Sequence, residues 1–219
     1  MSETETPIED VASTEESQPK KRRYLRRPGK VTDARVTRLQ QEYLAGRPSG
    51  RRDLAELRQA VGRVPGDVPA VWALTDIASE PDTVAPTSDE WAVHIAMCLY
   101  AVHQQGRNLP AHVPGRPFAQ AVNALTGEMQ EKSPVWRRFT AALLADDIEG
   151  LRGHLQGIVG QMHSNKNYTP FDYALLADDI AQLQNPARRS GVRLRWQREF
   201  YSPISDKKTD KDSNKKKED

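Results

Sequence analysis

Two acidic pairs, Asp146-Asp147 and Asp178-Asp179, are the side chains in this sequence best suited to chemistry. Neighbouring carboxylates can hold Mg²⁺ for phosphodiester cleavage. Adjacent helical residues point about 100° apart, however, so neither pair alone makes a good clamp. Asp146-Asp147 falls where a helix should start, a place that favours acid. Asp178-Asp179 reads as a solvated or arginine-paired face. The histidines, among them His94, His103 and His112, lack metal-ligand spacing and read as packing or hydrogen-bonding groups. There is no H-E-x-x-H, Walker loop or nucleophile elbow. The single cysteine, Cys98, lies beside an apolar stripe and reads as core. The expectation is no catalytic residue, no metal site and no cofactor.

Arginine remains. Arg51, Arg52 and Arg58 lie on one candidate helix, and Arg137 and Arg138 on another. Arg152 falls on a third, and Arg188, Arg189, Arg193 and Arg195 cluster near the C-terminus. A planar guanidinium donates two hydrogen bonds at once and so suits phosphate. No base-reading module accompanies these residues, so they point to sequence-independent contact with a nucleic-acid backbone. The same pattern is also what a salt-bridged amphipathic helix would show.

Helices must position these side chains. Tyr173, Leu176, Ile180 and Leu183 recur at helical spacing after Thr169-Pro170, which reads as the cap and start. Asn185-Pro186 ends that run. Val192, Trp196 and Phe200 then share one face, with arginines on its flanks. Upstream, Val36, Leu39 and Tyr43 form a first helix. Ser49 reads as the cap of a second, with Leu54, Leu57 and Val61 inward. Ser88 reads as the cap of a third, striped by Trp91, Ile95, Leu99 and Val102. Phe118, Val122 and Leu125 follow a loop rich in Pro and Gly. Ser133-Pro134 should cap and start the helix of Trp136, Phe139 and Leu143. Leu151, Leu155, Ile158, Val159 and Met162 form one more stripe. Strand signals are missing, so the fold class is all-α, with two packed helical bundles.

Four segments are expected. Residues 1–30 carry an acidic and then a basic block and should be disordered. An N-terminal helical domain spans 31–127 and a C-terminal bundle 128–203; a charged disordered tail covers 204–219. Neither tail should join a core, so deleting 1–28 and 206–219 should leave stability nearly unchanged. The basic block, Lys20 to Arg27, is either a flexible nucleic-acid arm or a partner for the acidic block. Charged residues are 28% of the chain, yet net charge is +2, so charge is patterned rather than in excess. No apolar run approaches the roughly 20 residues that span a bilayer. The acidic N-terminus lacks the apolar core of a secretory signal, and a cytoplasmic protein is expected.

The ordered pieces resemble the CasB family, the small subunit of the type I-E CRISPR Cascade surveillance complex. Those pieces are Ser49-Gly50-Arg51 through Leu57-Arg58, the run Leu99 to Gln104, and Ser133 to Phe139. To these are added FDYALLADDIAQLQ, beginning at Phe171, and VRLRWQREFY, beginning at Val192. The resemblance covers roughly residues 35 to 202 and neither tail. It implies a non-catalytic, all-helical subunit present in two copies beside other Cascade subunits and crRNA. It also implies contact with target DNA, above all the displaced non-target strand of the R-loop. Cleavage would belong to a separately recruited helicase-nuclease. The basic positions matching the family's binding surface are Arg51, Arg52, Arg58, Arg137, Arg138, Arg188 and Arg189. A stand-alone nucleic-acid binder, a metal-dependent nuclease and a purely structural adaptor are the rival readings.

Overall fold

The computed structural model describes residues 22–78, 84–126, 133–166 and 168–202. Among them the helices are α1 (Arg27–Leu44), α2 (Pro48–Gln59), α3 (Trp72–Thr75), α4 (Ser88–Gln104), α5 (Phe118–Thr126), α6 (Pro134–Leu144), α7 (Ile148–Ser164), α8 (Tyr173–Leu183) and α9 (Pro186–Phe200). A short 3₁₀ turn, Pro69–Val71, precedes α3. The only β-type pairing among these residues is an isolated bridge between His112 and Phe171, so the all-α expectation holds. No described helix is long and apolar enough to cross a membrane.

The helix starts show how sequence makes these elements. Ser133 caps α6 by accepting from the Trp136 amide at 3.0 Å, with Pro134 in the first turn, as its sequence requires. At α4 the cap is Thr87 rather than Ser88. Thr87 Oγ1 accepts from the Glu90 amide, and the Glu90 carboxylate accepts from the Thr87 amide. At α2, Ser49 caps nothing, because its hydroxyl donates to Glu42. At α8 the cap is Asp172 rather than Thr169, because Phe171 is drawn into the bridge with the 107–117 loop. That loop is held on three sides. Gln40 of α1 exchanges hydrogen bonds with the His112 backbone, and Gln104 of α4 bonds Arg107, Leu109 and Ala111. Arg107 in turn donates to the last carbonyls of α7.

Helices α1, α2, α4 and α8 pack together, and α5 and α6 pack with α7 and α9. Along the chain, α5 precedes residue 128 yet packs on α6 and α9. Helix α8 follows it yet packs on α1 and α4. One cluster of buried side chains runs through all of them, from Val36 and Leu39 to Val192, Trp196 and Phe200. Rings tie its centre together. Phe139 stacks on Trp196 and Phe200, Phe118 meets Trp196 and Phe171, and Phe171 meets Tyr173 at 4.1 Å between ring centres. Val192, Trp196 and Phe200 thus anchor a helix, as their spacing predicts, and not a strand.

The chain start departs from the expected disorder. Residues 1–21 and 203–219 lie outside the described residues, but Arg22–Arg26 form an extended strap and α1 begins at Arg27. Buried carboxylates of α8 and its cap hold the strap. Arg22 donates to Asp172 and Asp33, Arg23 donates to Asp179, and the amides of Arg26 and Gly29 both donate to Asp178 at 2.7 Å. Helix α1 has no side-chain cap of its own, so Asp178 supplies one from α8. A Cβ on Gly29 would sit 2.7 Å from that carboxylate, so only glycine allows the approach. A chain starting at Arg27 should therefore melt below one starting at Arg22. Charged hydrogen bonds worth roughly 1.5–3 kcal/mol each are lost, giving a drop of several degrees by calorimetry. Equal melting would contradict the clamp.

Three buried histidines sit in the same core. His103 stacks on Phe171 and shares a 3.0 Å hydrogen bond with the Tyr173 hydroxyl. Burial, with help from Arg107 and His163, pushes its pKa down from 6.5 to about 3. Burial also lowers His94 and His112. The unfolded chain takes up these protons below pH 6.5 and the folded chain does not. For His103 this contribution to stability is complete above pH 6.5 and is lost as pH falls toward 3, and His94 and His112 act in the same direction. At pH 5 His103 alone should cost about 2 kcal/mol. Asp178, raised by burial against the pull of two backbone amides, acts in the opposite sense within the carboxylate range. Urea unfolding at a series of pH values should show a shallower acid loss for His103→Phe than for wild type. Parallel curves would refute the assignment.

Candidate nucleic-acid interface

The ten arginines singled out by sequence divide by what surrounds them. Arg195 of α9 donates to Asp179 at 2.6 Å, joining Arg23 on the same oxygen, while the Trp196 indole N–H donates to the other oxygen at 2.8 Å. Asp179 is buried in the side of α8, so three donors from two segments satisfy one interior carboxylate. Arg195 therefore holds α9 to α8. Arg193 donates to the Ala145 carbonyl, and Arg189 donates to the Leu183 and Asp146 carbonyls and to the Asp146 carboxylate. Both pin α9 to the turn between α6 and α7. Arg152 donates to the Arg63 carbonyl and lies over the Trp91 ring, 5.6 Å from its centre. Arg52 pairs with Asp53, and more distantly with Glu56.

The other five are uncommitted. Arg51 on α2, Arg137 and Arg138 on α6, and Arg188 at the start of α9 are exposed, and Arg58 is half-exposed. None of these side chains has an ion pair or hydrogen bond among the described residues. The Arg138 stem crosses α7 at Gly157, where a Cβ would come within 3.0 Å of it, so a glycine makes room for the arginine to lie flat. Unpaired guanidinium groups on three helices present positive charge to solvent at little desolvation cost. Chemically they offer phosphate contact without base selection.

The acidic pairs are occupied in keeping the fold. Asp147 caps α7 by accepting from the Gly150 amide at 2.6 Å, and exposed Asp146 faces Arg189 and Arg193. Asp178 caps α1, and Asp179 holds Arg23, Arg195 and Trp196. The expected solvated face at Asp178-Asp179 is instead buried, and arginine pairing holds only at Asp179. One cluster of metal-type ligands occurs among the described residues: Asp33, His112 and Asp172. Its carboxylates share the Arg22 guanidinium. His112 Nδ1 accepts from the Tyr173 amide, which leaves Nε2 facing Asp33 at 3.5 Å. Asp172 also accepts from the amides of Gly115, Ala174 and Leu175. A guanidinium, with amides at its flank, thus satisfies the two carboxylates of this cluster, while the buried His112 Nε2 makes no hydrogen bond among the described residues.

Sequence reading missed Arg22, Arg23, Asp33 and Asp172 as a structural unit. Arg22 and Asp172 lie 150 residues apart along the chain and Arg23 and Asp179 lie 156 apart, and no local pattern announces them. One signal was present: an acidic pair inside an apolar helix, followed by an Arg-Trp pair that supplies two of the three donors.

Comparison with curated protein sequences gives no match. Among solved structures the chain is similar to CasB from Thermobifida fusca, with 29% identity and a TM-score of 0.70 over 82% of this chain and 100% of that one. A CRISPR-associated protein of the Cse2 family from Thermus thermophilus aligns at 25% identity and a TM-score of 0.58, over 80% and 99% of the two chains. A family model for CRISPR-associated protein Cse2 matches residues 53–201, which takes in α4 to α9 and every uncommitted arginine except Arg51. The chain belongs to the CRISPR-associated Cse2 family.

Proposed function

We propose that this protein is a non-catalytic small subunit of a type I-E CRISPR Cascade complex. In that complex it lies beside the other subunits, the crRNA and a second copy of itself. Its free arginines follow the phosphate backbone of target DNA, above all the displaced non-target strand, and so stabilise the R-loop. Family membership supports the setting. The observation that carries the role is the division of the arginines. Arg51, Arg58, Arg137, Arg138 and Arg188 face solvent without an acidic partner among the described residues. Arg189, Arg193 and Arg195 are spent inside the fold.

R-loop formation exchanges one duplex for another of similar stability. A few phosphate contacts on the displaced strand are then enough to shift the balance, and they need not read sequence because the guide does. The test is R-loop formation by the reconstituted complex over a salt series. Arg137→Ala with Arg138→Ala should weaken it on every target alike and flatten the log–log salt slope by about 1.4, at roughly 0.7 per single-strand contact. Circular dichroism and melting should stay unchanged. Arg195→Ala should instead lower the melting temperature, since it strips a donor from a buried carboxylate. Wild-type affinity and slope in the double variant would contradict the proposal.

A further inference from the structure

The strap and the first turn of α1 make a basic surface that extends beyond the residues matched by the family model. Tyr24 is 76% exposed although aromatic. The Lys30 ammonium sits 4.8 Å from its ring centre and donates to its hydroxyl. Tyr24 and Arg26 line one groove with Arg23 and Arg195, over α8 and α9. Arg26 and Arg27 line the adjoining groove with Arg188, between the starts of α1, α4 and α9. Arg26 belongs to both, so the two grooves form one track.

The charges along this track are not equivalent. Arg23 and Arg195 are tied to Asp179, and Arg27 donates to the Ala78 carbonyl. The Arg26 side chain is exposed and makes no ion pair or hydrogen bond among the described residues; only its backbone amide is used, by Asp178. Arg188 is likewise free. The acids lining the track are Asp178, which is buried and engaged with backbone amides, and Asp89. An exposed ring with free Arg26 in its groove and free Arg188 in the next is the arrangement that binds a single strand, the ring stacking on a base and the cations following the backbone. A duplex hides its base faces and cannot use the ring.

We infer that Tyr24, Lys30, Arg26 and Arg188 form a binding track for single-stranded nucleic acid, with Tyr24 as its stacking platform. The inference rests on the single-strand contact proposed above and extends it from Arg188 onto the strap, adding base stacking at Tyr24 to backbone contact. Because the ion pairs to α8 fix the strap, the track is built before the strand arrives, so little ordering entropy opposes binding.

The test is fluorescence anisotropy of the full chain with a labelled oligodeoxynucleotide, single-stranded or as duplex, over a salt series. Tyr24→Ala should weaken single-strand binding roughly tenfold, as loss of one stacked base does, with little change in salt slope and none on duplex. Arg26→Gln keeps the amide that Asp178 needs and should flatten the single-strand slope by about 0.7. Circular dichroism of both variants should match wild type, since both side chains are exposed. Wild-type binding by both variants, equal loss on duplex for Tyr24→Ala, or no single-strand binding by the wild-type chain would each overturn the track. If R-loop formation still fails for the Arg137→Ala, Arg138→Ala variant in that event, the proposed function stands and this surface is a protein contact.

Discussion

A carboxylate in a protein interior needs donors, and the segment of α8 with its cap buries three of them. Asp172, Asp178 and Asp179 are all within a few per cent of complete burial. Each draws a different part of the chain toward α8. Asp172 takes the strap at Arg22 and the loop at Gly115, Asp178 takes the start of α1, and Asp179 takes Arg23 and α9. Apolar burial supplies most of the folding free energy, but it is nondirectional. The carboxylates add direction, because an interior charge left without its partners costs several kcal/mol. This sets the order of the helices around α8, which packs on α1 and α4 through its apolar faces and is tied to α9 through Asp179.

The same constraint sorts the arginines. Those near α8 or near the turn after α6 find an acid or a carbonyl and become part of the fold. Arg51 and Arg58 on α2, Arg137 and Arg138 on α6 and Arg188 at the start of α9 find none among the described residues and remain available. The distinction is one of neighbourhood and not of residue type. Arg188 and Arg189 are adjacent in sequence, yet Arg189 reaches the Leu183 carbonyl and Asp146 while Arg188 points to solvent. The fold thus separates the arginines that hold its helices together from those left on its surface.

Much of the fold was legible in the sequence, because helix periodicity and proline starts act locally. The stripes of α4, α7 and α9 and the Ser133-Pro134 start of α6 are where their spacing puts them. Caps were less legible when two candidates stood side by side, as at Thr87-Ser88, or when a tertiary contact claimed the residue between cap and helix, as at Phe171. The strap was illegible for a physical reason. A run of Lys and Arg looks unable to fold because it buries no apolar surface, and its order comes from acids on a distant helix. The candidate interface was legible as a set of arginines, but which of them stay free depends on acids that only the tertiary structure brings near. Tyr24 had no periodic context to mark it.

Buried acid–arginine pairing at α8 organises the molecule. A double-mutant cycle between Asp179 and Arg195, read by chemical denaturation, tests it most directly. Asp179→Asn and Arg195→Gln should each destabilise, and the pair together should lose less than the sum, with a coupling of about 1–3 kcal/mol. Additive losses would mean that the two side chains stand side by side without holding α9 to α8, and would contradict the account.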